Sequence, residues 1–91
     1  MDYVAEIIGT YIFVSIILFV GQPVPIAATL LFVIYLTKSF SKASVNPAVS
    51  LSLGLRGDLS SEKTFFYIIS EFVGGGLAYL TYKYRDTIYP P

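Results

Sequence analysis

Asn46, Glu6 and Glu71 are polar groups set in apolar surroundings, where they are costly unless they have work to do. Asn46-Pro47-Ala48 lies between two apolar stretches, and a run of about nine residues, 47–55, follows it. At about 1.5 Å per residue that run is too short to cross a bilayer. It suits a half-helix that dips in and comes back. Asn46 can act as N-cap, and Pro47 suits the first helical position. Gly54 and Gly57 can end the helix. A half-helix of this kind would aim its positive dipole end, with the Asn46 amide beside it, at the membrane midplane. An uncharged donor at that depth belongs beside a water-filled path.

Glu6 and Glu71 each need a proton, a bond to free backbone groups, or water. Both lie on segments that could flank the half-helix loop. A re-entrant loop leaves backbone groups unpaired, and a buried carboxyl is a ready partner for them. Two other readings stand beside this one. Glu6 could lie near the membrane surface, and Glu71 could serve a proton relay, although no His, Asp or Lys chain accompanies it. The sequence has no histidine and no cysteine, which removes the usual general base, the thiolate and the commonest metal ligands. No catalytic residue, metal site or cofactor is expected, and no enzyme.

The elements that must position these residues are apolar. Of 91 residues, 55% are hydrophobic and 13% charged, with a mean hydropathy of +0.70. A soluble domain this small could not hide that much apolar surface, so an integral, multi-pass membrane protein in contact with lipid is expected. Net charge is zero and there is no basic run, which argues against a nucleic-acid partner. Eight Tyr and seven Phe, several Tyr at segment ends, suit an interfacial belt. The first span is expected over 3–20. Asp2 and Glu6 replace the basic start of a cleavable signal peptide. A second span is expected over 25–41. Its apolar part is short, so it spans only if Thr37, Ser39 and Ser41 continue the helix and Lys38 snorkels; taken alone, the segment also fits an interfacial or re-entrant reading. The half-helix is expected over 47–55 and a third span over 62–83. Ser70, Gly74 and Ala78 form a small-residue face, as do Ala5 and Gly9. Gly9, Gly74 and Gly75 are therefore expected at helix–helix contacts.

Taken together, these residues resemble one repeat of the major intrinsic protein family, the aquaporins and glycerol channels. Ala5-Glu6-Ile7-Ile8-Gly9-Thr10 resembles the opening of that family's first helix, Ala-Glu-Phe-x-Gly-Thr. Phe40 to Ser50 resembles its Ile-Ser-Gly-Ala-His-x-Asn-Pro-Ala-Val-Thr. Tyr67 to Gly75 resembles its third-helix Tyr-Ile-x-Ala-Gln-x-x-Gly-Ala. The resemblance implies an all-α membrane fold of three transmembrane helices and one re-entrant half-helix, half of the family's usual channel. It implies that Asn46 donates a hydrogen bond to passing water or a polyol, and that Pro47 and Ala48 pack against an opposing tip. It also implies that Glu6 and Glu71 hold the loop backbone. The sequence departs from the family in several places. Lys42 replaces a glycine, Ser44 a histidine and Glu71 a glutamine. Ile26 stands where the second helix usually places a selectivity-filter aromatic. Val49 follows the tripeptide, and the arginine of the family's constriction, which belongs to a second repeat, has no counterpart. Ile26 and Val49 are the candidate constriction residues.

Three helices cannot enclose a pore around one half-helix, so an inverted second unit is needed. With the N-terminus cytoplasmic, Lys38, Lys42, Arg56 and Lys63 fall inside and Lys83 and Arg85 outside. That bias is small enough to allow insertion both ways. Three functional readings follow. The first is a channel subunit working as an antiparallel homodimer for water or small neutral solutes such as glycerol. The second is a half-channel that docks on a separate aquaporin-like half or modulates another channel. The third is a truncated remnant that does not conduct.

Overall fold

The computed structural model describes residues 2–91, and among them the chain is all-helical. Five helices follow in order: α1 (Asp2–Phe19), α2 (Pro23–Thr37), α3 (Pro47–Arg56), α4 (Ser61–Lys83) and the single turn α5 (Arg85–Ile88). α1 ends in a left-handed Gly21, φ 69°, and α2 begins at once with Pro23 in its first turn. Proline costs nothing there, because the first N–H groups of a helix have no partner to lose.

α1 and α4 run side by side in the same direction. Tyr3 packs against Phe66 and Tyr67 at one end, and Phe19 against Tyr82 at the other. Their close approach is made at Gly74. A Cβ built there would lie 2.5 Å from the Ile7 carbonyl oxygen and 3.0 Å from Thr10 Cβ. Gly9 does the same on the other flank of α1, against Val45, Val33 and Thr37. The expected small-residue face is thus an internal one, with Ser70, Gly74 and Ala78 all buried. Gly75 differs from the expectation. Its nearest outside atom is Val14 Cγ2 at 3.9 Å, an ordinary contact that does not require glycine.

α2 stops at Thr37, short of the expected Ser41. Thr37 Oγ1 donates to the Val33 carbonyl, and the Phe40 and Ser41 N–H groups both turn back to Thr37 O. The chain unwinds there because Ser41 is needed elsewhere: its hydroxyl donates to Glu6 Oε2 at 2.5 Å.

α3 runs back along α4, with Gly54 tight against Thr64 and Ser50 against Glu71. Asn46 caps its start, accepting from Ala48 N at 2.8 Å. Its end is a Schellman motif on left-handed Gly57, φ 93°, with Asp58 N donating to Leu53 O and Gly57 N to Gly54 O. The segment before α3 and the segment after it finish at the same end of the bundle, where Lys38, Lys42, Asp58 and Leu59 line one cavity. The chain therefore goes in as a loop and comes back as a ten-residue helix.

Burial differs from that of an ordinary core, because polar side chains are buried beside Ala5, Val33, Val45, Leu59, Tyr67 and Ala78. Glu6, Thr10, Thr37, Ser44, Ser50, Ser70 and Glu71 are buried, while Phe72, Tyr35, Leu55 and Val24 are 63–81% exposed. One helix, Asp2–Phe19, is long and apolar enough to cross a membrane, and Pro23–Thr37 is apolar but shorter.

Candidate functional site

The site forms where loop 38–46 meets α1 and α4. Glu6 sits one turn into α1 and is fully buried. Its Oε1 accepts from Val45 N at 2.8 Å and from Ser44 Oγ at 3.2 Å, and its Oε2 from Ser41 Oγ. Glu71 sits mid-way along α4, 1% exposed. It accepts from Ser44 Oγ at 3.0 Å and from Ser50 Oγ at 2.7 Å. Ser44 and Ser50 are themselves 2.8 Å apart. Each hydroxyl has one proton and several acceptors around it, so the two serines join both carboxyls into a single network.

Glu6 therefore holds the loop backbone directly, through Val45. Glu71, expected on the loop backbone, takes no backbone N–H. It reaches the loop through Ser44 and the first turn of α3 through Ser50. Two serines stand between it and the main chain, and their side chains fill the space a direct bond would need. The network supports a backbone that would not hold itself. Ala43 and Val45 have φ of 53° and 42°. For a β-branched residue such as Val45 this left-handed region is uncommon and costs on the order of 1–3 kcal/mol. The Glu6 bond and the packing of Val45 on Gly9 keep it there.

At the loop's far point, Asn46 and Pro47 share a cavity of about 280 Å3 with Thr10, Val14 and Gly75, at mid-length of α1 and α4. Asn46 Oδ1 is occupied by Ala48 N–H, and the side chain is otherwise exposed. The amide NH2, which can only donate, is left facing outward. Ala48 and Val49 are exposed along α3 and line a separate cavity of about 320 Å3 with Ser52, Leu53 and Arg56. Ile26 is not part of it. Ile26 lies in the first turn of α2, which makes no contact with α3. The two candidate constriction residues are not brought together within one chain.

Ser41 and Ser50, which donate to the carboxyls, and Tyr67, which holds the loop, carry the site and were not legible in these roles. Tyr67, 1% exposed, accepts from Lys42 N at 3.1 Å and so holds the loop at its upper end. The available signal was arithmetic. Two carboxyls in an apolar chain with no cation nearby in sequence need hydroxyl donors, and Ser41, Ser44 and Ser50 are among the hydroxyls in and beside the loop.

Glu71→Gln is expected to be tolerated, because the amide oxygen still accepts from Ser44 and Ser50. Glu71→Leu removes the carboxyl that both hydroxyls share, leaving Ser44 only Glu6 at 3.2 Å and Ser50 only Ser44, and is expected to cost about 2 kcal/mol in this buried site. Thermal melting of the helical signal in micelles separates the two. Equal melting of the parent and Glu71→Leu would show the network to be dispensable.

Comparison of the chain with family models, with curated proteins and with solved structures gives no match.

Proposed function

We propose that this chain is one half of a membrane channel for water or small neutral solutes such as glycerol, completed by a second copy in inverted orientation. The observation that carries the reading is the hairpin of loop 38–46 and α3, which starts and finishes at one end of the bundle. Its turning point places a free Asn46 amide at mid-length of α1 and α4, on a helix N-terminus, and the hairpin is braced by two buried carboxyls. In this reading α1, α2 and α4 span the bilayer and α3 is the half-helix. The exposed surface, rich in Phe, Leu, Ile and Val, supports lipid as the surrounding medium. α2 has 15 residues, about 22 Å of helix, and reaches the interface through the turn at 38–41 with Lys38 snorkelling.

A single copy has one half-helix and an open side. Ile26 and Val49 can line one passage only if Val49 comes from a copy turned over. The resemblance to the major intrinsic proteins points the same way, since there two inverted repeats meet at the tips of their half-helices. With Val49 after the tripeptide, the constriction of such a pair lacks a cation and is less polar than the family's usual filter.

Reconstitution of the pure chain into vesicles, with water and glycerol permeability read by light scattering, tests the reading. Permeability equal to that of empty vesicles would refute it. Asn46→Ala should lower permeability severalfold while membrane levels stay normal. The lost cap costs only about 1 kcal/mol locally, whereas the midplane donor disappears entirely. Unchanged permeability in this variant would remove Asn46 from the pore.

A further inference from the structure

The end of the bundle that carries the termini of the hairpin has a second feature, separate from the Asn46 region. Lys38, Lys42 and Lys63 line a cavity of about 530 Å3 together with Ser39, Ser41 and Ser60. Asp2 and Asp58 also face it, but both are already paired. Asp2 takes Lys63 Nζ at 3.1 Å. Asp58 is held by Arg56, whose hydrogen bond keeps the Asp58 carboxyl below the usual carboxylate range, with a smaller contribution from Lys42. Lys38 and Lys42 have no ion-pair partner among the described residues. Lys38 instead lies over the Tyr35 ring, 4.6 Å from its centroid. The cavity therefore carries excess positive charge.

A second cavity, of about 210 Å3, lies between α1 and α2 and is lined by Val4, Ala5, Ile8, Leu36, Thr37 and Phe40. Phe40 belongs to both cavities, so the basic pocket and the apolar groove meet at one side chain. Basic above and apolar below, at the level where three apolar helices end, is the profile of one amphiphile with an anionic head and a hydrocarbon tail.

The geometry points to a binding site for a single anionic phospholipid, its phosphate between Lys38 and Lys42 and one acyl chain in the α1–α2 groove past Phe40. Charge complementarity selects the head, and the groove selects an acyl chain over a soluble phosphate. Juxtamembrane lysines attract anionic headgroups individually, and two that line one pocket favour a fixed position over a diffuse atmosphere. The inference rests on the chain lying in a bilayer and not on its conducting, so a non-conducting chain could still bind. In an antiparallel pair each leaflet would receive one such lipid.

The test is native mass spectrometry of the full chain in detergent, with phosphatidylglycerol or phosphatidylcholine of identical acyl chains added. Phosphatidylglycerol should be retained preferentially. The Lys38→Gln/Lys42→Gln double variant should lose that preference, on the order of thirtyfold in apparent affinity. Lys83→Gln/Arg85→Gln, at the opposite end, should keep it. Glycerol 3-phosphate should fail to displace the lipid, since it lacks the chain. Equal retention of the two lipids, an unaltered Lys38/Lys42 variant, loss of preference in the Lys83/Arg85 variant, or displacement by glycerol 3-phosphate would each overturn the site. Permeability is not the readout, so failure of the channel reading leaves this result interpretable.

Discussion

Gly74→Leu is expected to abolish the folded bundle, and Gly76→Leu to leave it intact. The two glycines are two residues apart in one helix, but their surroundings differ. At Gly74 the first added carbon would meet backbone: the Ile7 carbonyl oxygen at 2.5 Å and Tyr11 N at 3.1 Å. Backbone in a helix cannot move aside as a flexible side chain can, so α1 and α4 must separate. Overpacking in a yielding core costs about 1–3 kcal/mol, and a backbone obstacle makes that a lower bound. Separation also pulls Glu6 from Glu71, and with them the two sides of the serine network that holds the loop. At Gly76 nothing lies within 4 Å of the new carbon. Protease resistance and thermal melting in micelles read the difference. A Gly74→Leu chain that melts like the parent would show that α1 and α4 do not dock as described. Gly76→Leu folds in either case, so cross-linking of that variant asks separately whether a second copy uses the exposed side of α4.

The second large effect concerns orientation. Under the proposed antiparallel homodimer, a chain locked in one orientation should lose transport completely, and mixing it with an oppositely locked chain should restore it. The reason is geometric. Loop 38–46 enters from one end of the bundle and α3 returns to that same end, so in the proposed pore singly oriented copies supply half-helices from only one leaflet. Arg56, Lys38, Lys42 and Lys63 lie towards the hairpin end, against Lys83 and Arg85 at the other. Two lysines added between Gly21 and Pro25 should equalise the count, and two added near Ser39 should fix the N-terminus inside. Accessibility labelling gives the orientation of each variant, and light scattering its permeability. Full transport from a singly oriented population would eliminate the antiparallel homodimer.

Much of the local structure was legible in the residues themselves. Apolar run lengths, Pro47 at a helix start, Asn46 as its cap and Gly57 as a stop place the four long helices to within a residue or two at most ends. These signals are local: a cap or a proline acts on the turn that contains it. The end of α2 was not legible, because Thr37–Ser41 has no breaker. It unwinds for a bond to Glu6, thirty-five residues away in sequence.

The site divides along the same line. That Glu6 and Glu71 need partners follows from the cost of a carboxyl in apolar surroundings, which depends on residue type alone. Which partners they take is a tertiary matter. Ser44 and Ser50 intercept Glu71 because the loop, turned left-handed at Ala43 and Val45, delivers the Ser44 hydroxyl and the first turn of α3 delivers that of Ser50, in place of a backbone N–H. Likewise the three-glycine run announces close approach, but only the rotation of α4 against α1 decides that Gly74 faces Ile7 while Gly76 faces outward. Helical rotation and long-range hydrogen bonds depend on where distant segments come to rest, and no window of neighbouring residues carries that information.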